Sequence, residues 1–318
     1  MRPTVLIYEP DTPAAAAAYA SGIARELPEV EVAATSNLEE AVALAADAAV
    51  LIAKAQDVLP ALVAAMPRLE WIQALTTGVD PLRVLGLPPS ILVTTVRGIH
   101  GPQMAELALL GMMALSRDFP RLIANQRAAR WERWGQRLLL GKTAVVVGVG
   151  AISEAIAAYA RPFGLRLIGV SARSGVGGFD EIYPRARLLE AAARADFLVI
   201  VAPYTAETHH LVDARVLAAM PASAFLVNIA RGKLVDEEAL VAALRARRIA
   251  GAALDVFETE PLPAASPLWR MPNVIVTPHI GGMSDVYAEQ ALPVVLHNLR
   301  AFLARDGAAM LNRVDPMP

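Results

Sequence analysis

The sequence predicts an α/β protein with two domains, each built around a parallel β-sheet. Its 318 residues exceed what a single hydrophobic core usually serves. From end to end, short apolar runs rich in β-branched residues alternate with longer, alanine-rich segments of helical spacing. Strands that are apolar along their whole length are buried on both faces, which is typical of a parallel sheet covered by helices.

Composition excludes several classes of protein. Hydrophobic residues make up 55% and charged residues 19%, so the chain has ample material for large cores. The net charge of −2 and the lack of a basic stripe argue against a nucleic-acid partner. The apolar start is too short for a signal peptide, and no apolar stretch is long enough to span a membrane. We therefore expect a cytoplasmic protein with no membrane association.

The first series of strands and helices predicts the smaller domain. An alanine-rich segment at 13–25 has helical spacing. Residues 284–306 are expected to form one amphipathic helix, with Pro293 inside it, that returns to this domain. The smaller, flavodoxin-like domain therefore comprises residues 1–98 and 286–318. Its buried strands are expected at 4–8, 49–53, 70–74 and 91–95.

The second series predicts the larger domain, at residues 99–285. Six strands with crossover helices are the number expected of a Rossmann-type, dinucleotide-binding domain. Residues 101–134 have no strand pattern and are expected to form a long helical region that carries a subunit contact. No low-complexity linker separates the domains, so ligands should bind in the cleft between them. The six strands are expected at 143–148, 166–170, 197–201, 224–229, 251–256 and 273–277.

The start of the second series carries a phosphate-binding pattern, in which a strand, a glycine turn and a helix follow one another. Gly148 permits the tight turn, and Gly150 lets the backbone approach a pyrophosphate. The amides of Ala151 and Ile152 open a helix whose positive end faces the phosphates. Ser153 replaces the third glycine of the pattern and is small enough for close packing. Such turns also occur without a ligand, but the βαβ context favours a cofactor.

The end of the next strand bears on the choice of cofactor. An NAD enzyme normally has an acidic residue there, which bonds the ribose hydroxyls. This chain has Ser171, Arg173 and Ser174 instead. Arg173 can pair with a 2′-phosphate, and the two serines can donate hydrogen bonds to it. NADP(H) is therefore favoured over NAD(H), although Arg173 could also be a solvated loop residue.

Several motifs, in order along the chain, resemble those of the D-isomer-specific 2-hydroxyacid dehydrogenases. This family includes glyoxylate/hydroxypyruvate reductases, D-lactate dehydrogenase and phosphoglycerate dehydrogenase. The resemblance spans most of the chain, and the motifs together are far more specific than any one of them. They are TTGVD at 76–80, the Ala105-Glu106 pair, APYTAET at 202–208, NIARGKLVDEEAL at 228–240, GAALDVFETEPL at 251–262 and TPHIGG at 277–282.

The resemblance implies a catalytic triad of Arg231, Glu260 and His279. Arg231 would fork to the carboxylate and carbonyl of a 2-keto acid. His279 would supply the proton that accompanies hydride transfer, and Glu260 would hold its ring and favour the charged form. Each residue also has a structural interpretation. His279 could cap a strand, Glu260 could lie in an exposed turn, and Arg231 could bridge to a neighbouring acid.

Further contacts follow from the same resemblance. The segment Thr77-Gly78-Val79 matches the position where the family grips the substrate carboxylate, although it could also be a simple turn. Asp255 matches the acid that orients the nicotinamide carboxamide, or it could cap a turn. The other implied cofactor contacts are Ala202, Pro203, Thr208, Ile229, His279 and Gly281.

No metal site is predicted, because cysteine is absent and the histidines lack the spacing of metal ligands. We interpret His209, His210 and His297 as structural. His100 lies near the domain crossover and could line the substrate pocket.

The resemblance implies reduction of a small 2-keto acid to a D-2-hydroxy acid by a homodimer. The chain ends soon after its last helix, so we expect no regulatory domain and a substrate such as glyoxylate or hydroxypyruvate. Three alternatives remain open. They are a bulkier 2-keto acid, oxidation of phosphite, and a nucleotide-sensing binding protein like the corepressors of this family.

Overall fold

The computed structural model describes residues 4–171 and 177–314. Its contacts divide the chain into two compact units. The first unit runs up to Ile99 and resumes at Ser284, and the second runs from His100 to Met283. None of the helices in these described ranges is long and apolar enough to cross a membrane.

The first unit is a five-stranded parallel sheet with helices along the chain between its strands. Its strand order is β2-β1-β3-β4-β5, which is the flavodoxin-like order. The four predicted strands are present. The elements are β1 Thr4–Tyr8, α1 Pro13–Glu26, β2 Glu31–Thr35, α2 Leu38–Leu44, β3 Ala48–Ala53, α3 Pro60–Ala64, β4 Trp71–Ala74, α4 Asp80–Arg83 and β5 Leu92–Thr95.

The second unit is a seven-stranded parallel sheet of the doubly wound, Rossmann type. Its order is β12-β11-β10-β9-β6-β7-β8, so the chain turns from one side of β6 to the other after β8. Ligands of such sheets bind at the carboxyl ends of the strands, at this switch point. The elements are α5 Gly101–Ser116, α6 Phe119–Arg127, β6 Thr143–Val147, α7 Ala151–Ala160, β7 Arg166–Val170, β8 Glu181–Tyr183, α8 Leu188–Ala192, β9 Phe197–Ile200, α9 Ala214–Ala219, β10 Phe225–Asn228, α10 Glu237–Arg245, β11 Gly251–Leu254 and β12 Val274–Val276.

Two edge strands were not predicted from the sequence. Strand β2 is only partly buried, and its residues are not the continuous apolar run that marks the central strands. Strand β8 has three residues, all of intermediate burial. Edge strands need little burial, so their hydrophobic signal is weak.

The helical region predicted at 101–134 is confirmed up to residue 127, but it consists of two helices and ends earlier than predicted. The first helix, α5, ends at Ser116, and Asp118 adopts a left-handed conformation with φ of 52° before α6 begins. Pro120 explains the break, because proline lacks the N–H that a helix interior requires and fits only a first turn. The second helix ends at Arg127, and residues 130–138 have no regular structure.

Alternation along β6 shows how the second sheet is covered on both faces. Val145 and Val147 pack into one apolar cluster, whereas Ala144 and Val146 pack into the other. All four side chains are at most 2% exposed. A truncation in either cluster, such as Leu198→Ala, would cost about 2–5 kcal/mol of unfolding free energy. The glycine turn after β6 is thus carried by a rigid core.

The last helix, α11, spans Tyr287–Leu303 with Pro293 inside it and packs in the first unit. A methyl group at Gly22 of α1 would lie 2.4 Å from Leu292, so these helices approach closely. Asn298 is fully buried and donates from Nδ2 to Oε1 of Gln73 at 2.8 Å. The helix therefore returns to the first unit, as predicted, and packs against α1 and the sheet there.

Candidate active site

The turn between β6 and α7 contains two glycines with different requirements. Gly148 has φ of 100°, and a methyl group there would lie 2.5 Å from the backbone of Ala202. Both the backbone angle and the space demand glycine at this position. Gly150 has an extended backbone, and a methyl group there would meet no atom of the described chain within 4 Å. The space beside Gly150 is therefore open.

Ser153 caps the glycine turn, a role that was not predicted from the sequence. Its Oγ accepts a hydrogen bond from the amide of Gly150 and donates one to the carbonyl of Gly150, both at 2.8 Å. The side chain is buried, at 1% exposure. The amides of Ala151 and Ile152 lie in the first turn of α7, where amides have no partner within the helix. These two amides therefore remain suited to phosphate oxygens.

Ser171 directly follows β7, and its amide donates to the carbonyl of Tyr183 at 3.0 Å. Arg173 and Ser174, the other residues predicted to favour NADP(H), lie outside the described residues.

The predicted cofactor contacts after β9 and β10 lie at the same sheet edge as the glycine turn, because the strands are parallel. Ala202 is buried against Gly148. Pro203 is exposed, and its carbonyl accepts from Oγ1 of Thr208 at 2.9 Å. The Thr208 hydroxyl therefore shapes the loop. Ile229, after β10, is buried at 4% exposure.

Arg231 lies in a turn that Asn228 shapes. Asn228 accepts from the amide of Ala230 at 3.1 Å and donates to the carbonyl of Arg231 at 3.0 Å. A methyl group at Gly232 would lie 1.8 Å from the carbonyl carbon of Phe257, so this turn packs directly against the segment that leads to Glu260. The buried Asn228 was not singled out from the sequence, although its place at the end of a strand was a usable signal.

His279 and Glu260 form a close pair in the second unit. Nδ1 of His279 lies 2.7 Å from Oε2 of Glu260, while Oε1 of Glu260 accepts from the amide of Phe257 at 3.0 Å. His279 has φ of 53°, a left-handed conformation that is uncommon for a non-glycine residue and often occurs at functional sites. The two side chains are 45% and 35% exposed, so the pair is open to a ligand.

Electrostatics determine the ionisation of Glu260. Burial raises its pKa, but the hydrogen bonds from His279 and Phe257 and the charge of Arg231 outweigh burial and hold the pKa below its ordinary value. Glu260 is therefore a carboxylate at neutral pH and can only accept hydrogen bonds. The proton between the two residues must then reside on Nδ1 of His279.

Asp255 organises the loop that carries His279. Its Oδ1 accepts from the hydroxyl of Thr277 at 2.6 Å and from the amide of Ile280 at 3.0 Å. Its Oδ2 accepts from the amide of Gly281 at 2.9 Å. A methyl group at Gly281 would lie 2.6 Å from the side chain of Leu107 and 2.9 Å from that same oxygen, so the loop packs closely here. These contacts match the capping interpretation of Asp255.

His100 lies beside this region in the second unit. It is only 7% exposed, and a methyl group at Gly282 would lie 3.3 Å from its ring. Burial and, secondly, the charge of Arg231 lower the pKa of His100 to about 4. His100 is therefore neutral at physiological pH.

The predicted substrate turn lies in the first unit, between β4 and α4. The hydroxyl of Thr76 donates to the carbonyl of Gly78 at 2.7 Å, and Val79 occupies the position before α4. Among the described residues, the amides of Gly78 and Val79 have no acceptor. Thr77 is exposed.

Residues 109–281 match the family model described as D-isomer specific 2-hydroxyacid dehydrogenase, NAD binding domain. The chain belongs to the D-isomer-specific 2-hydroxyacid dehydrogenase family. It is an enzyme, an oxidoreductase with an NAD-binding domain.

Three relatives of this dehydrogenase carry informative descriptions. It is 33% identical over 295 residues to D-3-phosphoglycerate dehydrogenase of Methanocaldococcus jannaschii, covering 88% of this chain but only 55% of that protein. It is 35% identical over 247 residues to glyoxylate reductase of Thermococcus gammatolerans, covering 74% of each. A D-isomer specific 2-hydroxyacid dehydrogenase from Xanthobacter autotrophicus Py2, solved with NADPH and MES, is 29% identical with a TM-score of 0.81 and coverage of 99% of each chain.

The other histidines of the dehydrogenase make local contacts. Nε2 of His297 lies 2.9 Å from the carbonyl of Ala309. Nδ1 of His209 lies 3.3 Å from the hydroxyl of Tyr204, and the His209 ring stacks on that of His210 at 3.9 Å. Nε2 of His210 lies 2.7 Å from Oε1 of Glu258, a contact that the sequence did not predict.

Within residues 4–171 and 177–314, one group of three side chains could hold a metal ion, namely Glu9, Asp11 and Asp57. The ammonium of Lys54 already lies 2.5 Å from Glu9 and 3.1 Å from Asp11. Burial, with smaller contributions from the neighbouring acids, raises the pKa of Asp57 to about 6 against the opposing charge of Lys54. The lysine thus provides the cation of this cluster.

Proposed function

We propose that this dehydrogenase reduces a small 2-keto acid of the glyoxylate/hydroxypyruvate class to the D-2-hydroxy acid, with NADPH as its preferred cofactor. The observation that carries the proposal is the pair of His279 and Glu260, close enough to Arg231 for its charge to act on Glu260. When bound, the nicotinamide supplies the hydride.

In this proposal the substrate is held by its carboxylate and carbonyl. Arg231 binds both groups through its planar fork and polarises the carbonyl. The first unit contributes the amides of Gly78 and Val79, together with Thr77, as further donors to the carboxylate. The support for this role is that neither amide has an acceptor among the described residues.

His279 donates the proton that the reduced carbonyl oxygen requires. Because Nδ1 is bound to the ionised Glu260, Nε2 is the nitrogen that faces the reaction and gives up its proton. In the oxidation of a hydroxy acid the same nitrogen accepts the proton. Glu260 thereby fixes both the orientation of the ring and the identity of the reactive nitrogen.

The residues proposed to hold the cofactor lie at the carboxyl ends of the second sheet. The pyrophosphate would occupy the space beside Gly150, against the amides of Ala151 and Ile152, with Gly148 permitting the turn. Asp255 would contribute to the part of the site that binds the nicotinamide, chiefly by holding the loop of His279 in place. The remaining proposed contacts are Ala202, Pro203, Thr208, Ile229, His279 and Gly281.

The preference for NADPH rests on Ser171, Arg173 and Ser174, which replace the acid expected of an NAD enzyme. The Xanthobacter relative, solved with NADPH, supports this choice. The matched test is Arg173→Ala. It should raise the KM for NADPH about tenfold and change the KM for NADH by less than about twofold, because only NADPH carries the 2′-phosphate.

We also propose that the enzyme is a homodimer with its contact at α5 and α6. Large apolar side chains are exposed there, including Leu110 at 57%, Phe119 at 50% and Leu122 at 37%. Trp131, just beyond α6, is 94% exposed. A cluster of exposed apolar side chains of this kind is typical of a surface that another protein chain covers. Sedimentation velocity should give twice the chain mass of 33.8 kDa, and a monomer at micromolar concentration would contradict the proposal.

The activity is tested by following the absorbance of NADPH with glyoxylate, hydroxypyruvate, pyruvate, 2-ketoisocaproate and phenylpyruvate. Rapid oxidation of NADPH with glyoxylate and hydroxypyruvate supports the proposal, and chiral analysis of the glycerate formed from hydroxypyruvate should give the D-isomer. Equal or faster use of NADH would overturn the cofactor preference alone. No turnover with any 2-keto acid, despite binding of NADPH, would overturn the reductase assignment.

A second candidate substrate is a bulkier acid. The relative from Methanocaldococcus jannaschii is a D-3-phosphoglycerate dehydrogenase, which favours including phosphorylated acids in the panel. A kcat/KM at least tenfold higher for 3-phosphohydroxypyruvate than for hydroxypyruvate would replace the small-substrate proposal by this one.

A further inference from the structure

We infer that His210 and Glu258 form a positioning pair that holds Glu260 against His279. The inference rests on the proposed function, because it takes His279 as the proton donor. Nε2 of His210 lies 2.7 Å from Oε1 of Glu258. The two side chains are 36% and 33% exposed, so the contact is partly shielded from water.

Glu258 is held from two directions. Its Oε1 also accepts from the amide of Glu237 at 3.2 Å, and its own amide donates to Oε2 of Glu237 at 3.1 Å. Glu237 is the first residue of α10. The carboxylate of Glu258 therefore joins His210 and the start of α10 to the segment that runs from Phe257 to Glu260.

This segment transmits the position of Glu258 to the proposed proton donor. Phe257 is buried at 6% exposure, and its amide donates to Oε1 of Glu260 at 3.0 Å. The other oxygen of Glu260 then faces Nδ1 of His279 at 2.7 Å. A displacement of the turn by about 1 Å would break this contact, and misplacements of that size can cost up to about 100-fold in rate.

His210 also reaches the turn of Arg231. Its amide donates to the carbonyl of Lys233 at 2.9 Å, beside the parallel bridge between Val212 and Val235. One histidine thus connects the turn that follows Arg231 with the segment that carries Glu260.

The backbone of His210 supports a positioning role. Its φ of 50° lies in the left-handed region, as does the φ of 53° at His279. Such a conformation is uncommon for a non-glycine residue and persists only where the surroundings require it. At His210 this backbone accompanies two contacts, one from the side chain to Glu258 and one from the amide to Lys233.

The test compares three variants with the wild type. His210→Asn tolerates a positive φ, but its shorter amide does not reach Glu258. His210→Gln keeps a nitrogen donor at about the reach of Nε2. His297→Asn is the control, because His297 contacts the carbonyl of Ala309 in the first unit and does not contact His210 or Glu258. Each variant is assayed for kcat, for both KM values and for the pH profile of reduction, and its thermal unfolding is recorded.

We expect His210→Asn to lower kcat about three- to tenfold, because Glu260 loses its fixed position. The decline of reduction at alkaline pH should begin at lower pH, because His279 loses part of the contact with its carboxylate partner. His210→Gln should retain most of the wild-type kcat and pH profile, and His297→Asn should match the wild type. A change in thermal stability alone, with an unaltered pH profile, would mean a merely structural role and would overturn the inference.

The failure of this inference is distinguishable from failure of the proposed function. If His279→Gln abolishes turnover but His210→Asn keeps the wild-type kcat and pH profile, only the positioning pair is overturned. If His279→Gln remains active, the proposed proton donor itself is wrong. Should His210→Asn fail to fold, Glu258→Ala must show the same shift of the alkaline decline, and its absence would overturn the pair.

Discussion

The Nδ1 atom of His279 lies 2.7 Å from Oε2 of Glu260, and this contact determines which nitrogen of the imidazole can exchange a proton with a ligand. The pKa of Glu260 is held below its ordinary value, so its carboxylate accepts the Nδ1 proton and leaves Nε2 for chemistry. The cofactor turn is at the carboxyl edge of the same sheet, and the loop of His279 begins after the last strand of that edge.

Replacing Glu260 by Gln should change the pH dependence of reduction. In the proposed mechanism reduction needs a proton on His279, so the rate should fall as pH rises. Without the carboxylate this proton loses its charged partner, and the alkaline decline should begin at lower pH. The pH profile of kcat/KM checks this, with the exposed Glu238→Gln as control. An unchanged profile would show that Glu260 does not act on His279.

Replacing Arg231 by Lys should impair substrate binding although the charge is retained. A lysine offers a point charge in place of the planar fork, so the substrate carboxylate and carbonyl cannot both be held. We expect kcat/KM for the 2-keto acid to fall about 100-fold, which corresponds to about 2.7 kcal/mol of transition-state stabilisation. Arg215→Lys, at an exposed pair with Asp213, provides the control. Wild-type kinetics in Arg231→Lys would remove the arginine from the substrate site.

The two glycines of the cofactor turn should respond differently to alanine. Gly148→Ala forces a side chain against the backbone of Ala202 at positive φ, so it should lower thermal stability as well as NADPH binding. Gly150→Ala meets no described atom and has an extended backbone, so it should leave the unfolding temperature within about 2 °C of the wild type. It should still weaken NADPH binding about tenfold or more, because its methyl group occupies the space proposed for the pyrophosphate. Unchanged binding by Gly150→Ala would place the phosphates elsewhere.

His100 should make the stability of the fold depend on pH. Its pKa is about 4 in the folded state, against an ordinary value near 6.5, so the unfolded chain binds the proton more readily. The stabilisation is present above pH 6.5 and is lost as pH falls towards 4, and it amounts to about 2 kcal/mol between pH 7 and pH 5. Urea unfolding of His100→Asn should show a smaller loss over this interval than the wild type. Equal losses would mean that His100 is protonated in the folded state.

The sequence was sufficient for the central strands and insufficient for the contacts between loops. Strands such as β6 and β9 are buried on both faces, so their continuous apolar runs predicted them correctly. Edge strands β2 and β8 were missed because they need little burial. The break between α5 and α6 could have been predicted from Pro120, because proline cannot continue a helix.

The candidate site divides in the same way. Motifs pointed to Arg231, Glu260 and His279, but the contact of His210 with Glu258 joins residues 48 positions apart in the chain. No local pattern encodes such a contact, because it depends on how two loops of the sheet edge meet. The hydrogen bonds of Ser153 with Gly150 span only three residues, and this cap was within the reach of sequence reasoning.

The most direct measurement is the turnover of glyoxylate and hydroxypyruvate with NADPH by the wild type and by His279→Gln, with NADPH binding followed in parallel by fluorescence. The wild type should oxidise NADPH readily. The variant should lose at least about 100-fold in kcat while its Kd for NADPH stays within about threefold, because only the proton donor is removed. A variant that retains near wild-type kcat, or a wild type that binds NADPH without reducing any 2-keto acid, would contradict the assignment of His279 as the proton donor of a 2-keto acid reductase.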